Sequence, residues 1–278
     1  MNVTIFGASG LLGNALMREW DGDKIVGLSL PDVEVRDAGQ ILRAAEQTRP
    51  EWIVLAAAYT DVDGCESNQA LAFSVNRDGA VNVAEAAKRV GARLLFLSSD
   101  YVFDGRKTSP YEIGDARNPQ SVYGRSKAEA EVRLLEVLSQ CCIVRTAWLF
   151  GMGGKCFPDT ILKLAAARPA LDVVDDQRGC ATYSVDLARA IIQLCRKGAS
   201  GIVHVTNAGD CSWFEFAREI VRGAGLAAEV RPVSSQQMAR PAPRPAYSVL
   251  SSASLQRYGI AMPTWQDALQ RYLKERRS

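Results

Sequence analysis

Residues 2–13 read Asn2-Val3-Thr4-Ile5-Phe6-Gly7-Ala8-Ser9-Gly10-Leu11-Leu12-Gly13, and this stretch decides the fold. Residues 2–6 form a short, mostly apolar run suited to a buried strand. The glycine run follows at once, and Leu11 to Trp20 carries a helical pattern. Strand, glycine turn and helix in that order are the context a dinucleotide fingerprint requires. Gly7 permits the tight turn, Gly10 lets the backbone approach a pyrophosphate, and Gly13 lets helix pack on strand. The phosphates then face the helix N-terminus, where free N–H groups and the helix dipole favour anions. The spacing is G-x-x-G-x-x-G rather than G-x-G-x-x-G. A plain glycine turn is the competing reading.

Downstream, strands and helices alternate, as in an α/β fold with a parallel sheet. Lys24 to Leu28 reads as the second strand. It ends at Ser29, with no carboxylate to hold an adenosine ribose and no arginine beside it. That leans mildly toward the 2′-phosphate of NADPH over NADH. A helix from Gln40 to about Thr48 stops before Pro50, because the residue preceding proline resists the α conformation. Residues 52–58 are an unbroken apolar run, as expected of a strand buried on both faces. Asn68 to Val90 reads as one long helical region. Arg93 to Ser98 is the next strand, with Ser99 beyond its carboxyl end. Residues 104–121 read as a loop. Ile143–Thr146, a helix at 157–167, Leu171–Val174, a helix near 185–195 and Ile202–Val205 continue the alternation. Helices at 213–223 and 264–277 flank a proline-rich segment, residues 240–245.

Within this frame, Tyr123 and Lys127 stand four residues apart, one helical turn from each other on one face. A lysine charge beside a phenol stabilises the phenolate and lowers its pKa. A tyrosine so tuned passes a proton to or from a carbonyl or alcohol near neutral pH. Y-x-x-x-K also arises by chance on solvated helices, so its weight comes from the glycine turn and from Ser98-Ser99-Asp100 between them. A serine hydroxyl at a strand end can hydrogen-bond a substrate carbonyl; a serine merely ending a strand is the alternative. Trp148, just past a strand, reads equally as a stacking platform or as core.

Composition narrows the rest. The chain has 278 residues, 47% hydrophobic and 23% charged, with net charge +2. These values are ordinary for one large domain, or a main domain with a smaller lobe, and give no reason to expect nucleic acid or an anionic membrane as partner. No run approaches a membrane span, and no signal peptide is visible. Seven cysteines without C-x-x-C spacing fit a reducing cytoplasm. His204 is the only histidine. It argues against a His-based metal site, and as a strand residue it reads as packed core.

With these residues in hand, the chain resembles the extended short-chain dehydrogenase/reductase superfamily and, within it, the dTDP-4-dehydrorhamnose reductases. The likeness runs through Ala56-Ala57-Ala58-Tyr59-Thr60-Asp61-Val62-Asp63, Ser98-Ser99-Asp100-Tyr101-Val102-Phe103, Val122-Tyr123-Gly124, Arg145-Thr146-Ala147-Trp148 and Arg244-Pro245-Ala246-Tyr247-Ser248. It implies a Rossmann-type doubly wound parallel sheet with a smaller C-terminal substrate-binding lobe. Residues 1–150 would form the NAD(P)-binding domain, with 170–205 adding elements to it. Residues 206–278, with the 151–169 loop and helix, would form the smaller lobe.

The resemblance also implies roles. Ser99, Tyr123 and Lys127 stand at catalytic positions, Ser99 also against the substrate, and Tyr123 and Lys127 also against the cofactor, with Lys127 holding its ribose. Gly10, Leu11, Leu12, Ser29, Glu34, Val35, Ala58, Tyr59 and Thr60 stand at cofactor positions, beside Gly7 and Gly13 of the turn. Val62, Asp100 and Trp148 stand near a nucleotide-sugar. The implied reaction is NADPH- or NADH-dependent reduction of the C4 keto group of dTDP-4-dehydro-L-rhamnose, with Tyr123 as proton donor. Mg²⁺ and a homodimer are left open, and no compact metal-ligand motif is visible. A nucleotide-sugar 4-epimerase and a non-catalytic methionine adenosyltransferase regulatory subunit are the rival readings. Cys156 stands where the family usually has asparagine, and Ala181 where it has proline.

Overall fold

The computed structural model describes residues 1–277. In chain order its elements are β1 (Asn2–Phe6), α1 (Leu11–Glu19), β2 (Lys24–Leu28), α2 (Ala38–Thr48), β3 (Trp52–Leu55), α3 (Val62–Ser67), α4 (Gln69–Phe73), α5 (Gly79–Val90) and β4 (Arg93–Ser99). Then come α6 (Val122–Val137), β5 (Cys142–Thr146), β6 (Leu149–Phe150), α7 (Phe157–Ala167), β7 (Ala170–Val174), β8 (Arg178–Gly179), β9 (Thr182–Tyr183), α8 (Ser184–Arg196) and β10 (Gly201–His204). The chain closes with β11 (Cys211–Ser212), α9 (Trp213–Ala224), β12 (Glu229–Val233), α10 (Ala253–Gln256) and α11 (Trp265–Glu275).

Six strands form one sheet in the order β10-β5-β4-β3-β1-β2, every pair parallel. Alternation along the strands feeds two cores. Val3, Ile5, Leu95 and Leu97 pack toward α1 and α8. Phe6, Leu94 and Phe96 pack toward α2, α5 and α6. This is the doubly wound α/β arrangement. The chain runs from β1 outward to β2, then returns to place β3 on the other side of β1. Strand order therefore reverses at β1, and a crevice opens beyond the carboxyl ends there.

A third core joins α7, α9 and α11 with Phe150, Leu171, Val173 and Tyr183. Here the structure departs from the sequence reading. Leu171–Val174 does not continue the main sheet; β7 pairs in parallel with β12 in a separate two-stranded ribbon. Its burial alternates, whereas β3 and β5 are buried throughout. A strand exposed on one side belongs at a surface ribbon.

Two further differences bear on the site. The apolar run 52–58 is strand only to Leu55, and Ala56, Ala57 and Ala58 leave the sheet as half-buried backbone. The helical region 68–90 is interrupted by a π-helical turn, Ser74–Asp78. That turn holds Asn76, whose buried amide accepts from Tyr59 N at 2.8 Å and donates to Tyr59 O at 3.0 Å and Ser126 Oγ at 3.0 Å. It ties the segment after β3 to α6.

Candidate active site

A cleft of about 890 Å³ lies across the carboxyl ends of the sheet. Every residue given a candidate role above lines it. At its floor, Gly7 has φ +92°, and a Cβ there would collide with the backbone of Ala57. Side chains rarely adopt that conformation, so glycine is what lets β1 turn tightly against the β3 end. A Cβ on Gly13 would likewise strike the carbonyl of Gly7, so α1 sits directly on the turn. Gly10 caps α1 without a side-chain acceptor, and the first turn holds no acidic residue. Its free N–H groups face the cleft and suit an anion.

The other end of the cleft is built by β4 and α6. Ser99 is the last residue of β4. Its hydroxyl donates to Asp100 Oδ1 at 2.9 Å and accepts from Tyr101 N at 3.2 Å. The N-terminus of α6 is fixed by two acceptors: Ser121 Oγ takes the N–H of Gly124 at 3.1 Å, and Glu66 Oε1 takes that of Val122 at 2.8 Å. A Cβ on Gly124 would collide with the Tyr101 carbonyl, so glycine lets α6 lie against the turn after β4. The Tyr123 ring then meets Tyr101 edge-on, with centroids 5.6 Å apart.

The electrostatics differ from the sequence reading. Burial raises the Tyr123 pKa above its ordinary value, and the group that lowers it is the Ser99 hydroxyl, with Lys127 not among the causes. The phenol therefore stays protonated at neutral pH, as a donor must. Burial pulls Lys127 down to about 7, opposed by Glu131. The Lys127 ammonium lies 4.3 Å from the Phe96 ring centroid. No hydrogen bond or ion pair engages it among the described residues, so this buried donor is left for a ligand.

Beneath the site, Glu131 is one turn beyond Lys127 and fully buried. Arg145 Nε donates to its Oε1 at 2.8 Å and Arg145 Nη2 to its Oε2 at 2.6 Å, with Ser98 Oγ at 2.5 Å and Arg117 Nη1 at 3.1 Å. Burial acts to raise the Glu131 pKa, but these donors, Arg145 first, hold it below the usual range. His204 sits against this pair, with Nε2 3.4 Å from Arg145 Nη1. Burial and Arg145 push it down to about 3, so it is a neutral core residue. Asp100 is 1% exposed, and burial raises it to about 6, against hydrogen bonds from Ser248 and Ser99. Its Oδ2 has no partner among the described residues.

Trp148 belongs to the third wall. It stacks on Trp213 with centroids 3.5 Å apart and planes 8° apart, and Phe157 packs on Trp213 in turn. Cys156 caps α7 and lines the cleft, its thiol donating to Asp159 Oδ2 at 3.2 Å. Ala181 is fully buried in the third core. The proline-rich segment is tied to α3, on the Tyr123 side of the cleft, through Arg244, whose Nη1 and Nη2 bind Asp63 at 2.8 and 2.9 Å.

At the end of the cleft beside β2, Ser29 Oγ accepts from Ser9 N at 2.9 Å. Glu34 and Val35 lie alongside, and so does Arg36, which the sequence reading missed. It stands seven residues past Ser29, and a turn after β2 brings it back. Lys155, Trp213 and Tyr101 also line the cleft without having been singled out. No group of three or more His, Cys, Asp or Glu side chains is placed to hold a metal ion among the described residues. No helix among them is long and apolar enough to cross a membrane.

The doubly wound sheet, the glycine turn and the serine, tyrosine and lysine on one cleft define the short-chain dehydrogenase/reductase class. The family described as RmlD substrate binding domain matches residues 1–278. The chain is 38% identical to the spore coat polysaccharide biosynthesis protein SpsK of Bacillus subtilis, over 99% of this chain and 98% of that protein. It is 41% identical to a dTDP-4-dehydrorhamnose reductase of Mycobacterium tuberculosis, over 96% and 90%. The crystal structure of dTDP-4-dehydrorhamnose reductase from Bacillus anthracis in complex with NADP superposes with a TM-score of 0.96 at 37% identity, covering 98% of each chain. The chain belongs to the dTDP-4-dehydrorhamnose reductase family.

Proposed function

We propose that this chain reduces the C4 keto group of dTDP-4-dehydro-L-rhamnose, giving dTDP-L-rhamnose, with NADPH as the preferred reductant. The observation that carries the reading is the convergence of Ser99, Tyr123 and Lys127 on one cleft whose far end is the glycine turn. The relatives named for this reaction, one of them solved with NADP, support it.

The residues present fit a dinucleotide. The free N–H groups of Leu11 and Leu12, beside the Gly10 backbone, would hold its pyrophosphate, and Ser29, Glu34 and Val35 its adenosine half. Ala58, Tyr59 and Thr60 line its path along the sheet ends. The unpaired Lys127 ammonium suits the hydroxyls of the nicotinamide ribose. When bound, the reduced cofactor supplies the hydride to C4. Ser99 orients the carbonyl oxygen through its hydroxyl. Tyr123, kept as a neutral phenol by burial, gives its proton to that oxygen as negative charge develops. Val62, Asp100 and Trp148 would contact the nucleotide-sugar.

The same proposal divides the molecule into a cofactor domain, residues 1–150 with α8, β10 and the α10 segment, whose Leu255 and Ile260 pack in the main-sheet core rather than in the lobe expected for residues 206–278, and a smaller lobe built on α7, β7, α9, β12 and α11. It places the protein in the cytoplasm, where seven free, buried cysteines remain reduced. Purified protein given NADPH and dTDP-4-dehydro-L-rhamnose should oxidise one NADPH for each keto sugar it reduces and release dTDP-L-rhamnose. Cofactor binding without turnover would reject this substrate and direct attention to Cys156 and Ala181.

A further inference from the structure

We propose that Arg36 is the side chain that reads the 2′-phosphate of the cofactor, and that its ion pair with Glu34 lets one site take either NADPH or NADH. This rests on the dinucleotide reading above and names the residue that sets its preference.

Backbone geometry brings Arg36 to the right place. The carbonyl of Ser29 accepts from Asp32 N at 2.9 Å and Val33 N at 3.1 Å, which folds the chain back on the end of β2. Glu34, Val35 and Arg36 therefore return beside Ser29 and line the same end of the cleft. The return is anchored. Val35 is buried, and its carbonyl accepts from Asn82 Nδ2 of α5 at 3.0 Å. Gln40 Oε1 takes the N–H of Glu34 at 3.0 Å. Arg36 Nη2 donates to Glu34 Oε2 at 2.7 Å, and Arg36 N to Glu34 Oε1 at 3.2 Å.

The charges lining the cleft leave no other reader. They are Glu34, Arg36, Asp100, Lys127 and Lys155. Lys127 lies on α6 at the catalytic end. Lys155 follows Gly154, which packs on Leu11 in the first turn of α1, so it faces the pyrophosphate region. Only Arg36 is a cation beside Ser29. An exposed ion pair contributes little, so Arg36 can leave Glu34 at small cost. A guanidinium on a phosphate dianion forms stronger, paired hydrogen bonds. With NADH, the Glu34 carboxylate is positioned for ribose hydroxyls. Without Arg36, the same carboxylate would repel the 2′-phosphate.

The test is equilibrium binding of NADP⁺ and NAD⁺ to the full chain, by calorimetry, with thermal melting to check folding. In Arg36→Ala, NADP⁺ affinity should fall about 10- to 100-fold, while NAD⁺ affinity changes less than about threefold. Glu34→Gln should weaken NAD⁺ and leave NADP⁺ as tight or tighter. Lys155→Ala is the control and should weaken both alike. Equal losses for the two cofactors in Arg36→Ala, or no loss, overturn the proposal. A wild-type protein that binds neither dinucleotide overturns the dinucleotide reading and this inference together.

Discussion

The two ends of the cleft are built on opposite principles. At the catalytic end, the polar groups are buried and locked. Glu131 is held by Arg145, Arg117 and Ser98, and the helix carrying Tyr123 is capped twice. At the adenosine end, Glu34 and Arg36 form an ion pair in which the arginine side chain is 45% exposed. The buried network costs much desolvation and returns fixed geometry. The exposed pair costs little and can be exchanged for a ligand. Proton transfer demands placement within hydrogen-bond reach, whereas a choice between cofactors demands a group free to change partner.

Substitutions at the two ends should separate accordingly. Tyr123→Phe should lower turnover by about 10²–10⁴ and leave NADP⁺ titration unchanged, as measured by steady-state kinetics and calorimetry. Glu131→Ala leaves Arg145 buried without its partner. It should cost about 3–5 kcal/mol of stability, seen in urea melts, and a near-neutral result would show that the network is dispensable.

Asp100 gives a pH signature of the buried end. Its folded pKa of about 6 lies above the unfolded value near 3.8. The folded state therefore binds the proton more tightly, and the penalty is full above pH 6 and fades as pH falls toward 4. Asp100→Asn should stabilise the protein by on the order of 2 kcal/mol at pH 8, with the gain vanishing near pH 4. A gain that is the same at both pH values would contradict the buried charge. Ser121→Ala should cost about 1 kcal/mol through the lost cap. Arg36→Ala should leave the urea melt essentially unmoved, because the ion pair it breaks is exposed, the smallest change of all despite its expected effect on NADP⁺.

Much of the fold was legible because it rests on local rules. The glycine turn, the two-face burial of β4 and β5 and the one-turn spacing of Tyr123 and Lys127 are all properties of short windows. What escaped depended on distant partners. Ala56 to Ala58 are as apolar as a strand but leave the sheet to line a cleft. Leu171–Val174 is strand-like, yet its partner is β12, some sixty residues on. The environment of Tyr123 also inverted a sequence argument: helical spacing put a lysine one turn from the phenol, but burial, opposed by the Ser99 hydroxyl, raises the phenol and keeps the proton on. Arg36 was overlooked because only the turn at Ser29 brings it back to the cleft beside β2. Glu131, four residues past Lys127, had a readable spacing but no sign of its three donors.

The most direct test follows the hydride itself. NADPH carrying deuterium at the transferred position of C4 should be incubated with dTDP-4-dehydro-L-rhamnose and the purified protein. The account predicts dTDP-L-rhamnose with the label at sugar C4, and near-complete loss of label transfer in Tyr123→Phe. Product without label from NADPH, or full transfer by Tyr123→Phe, would contradict it.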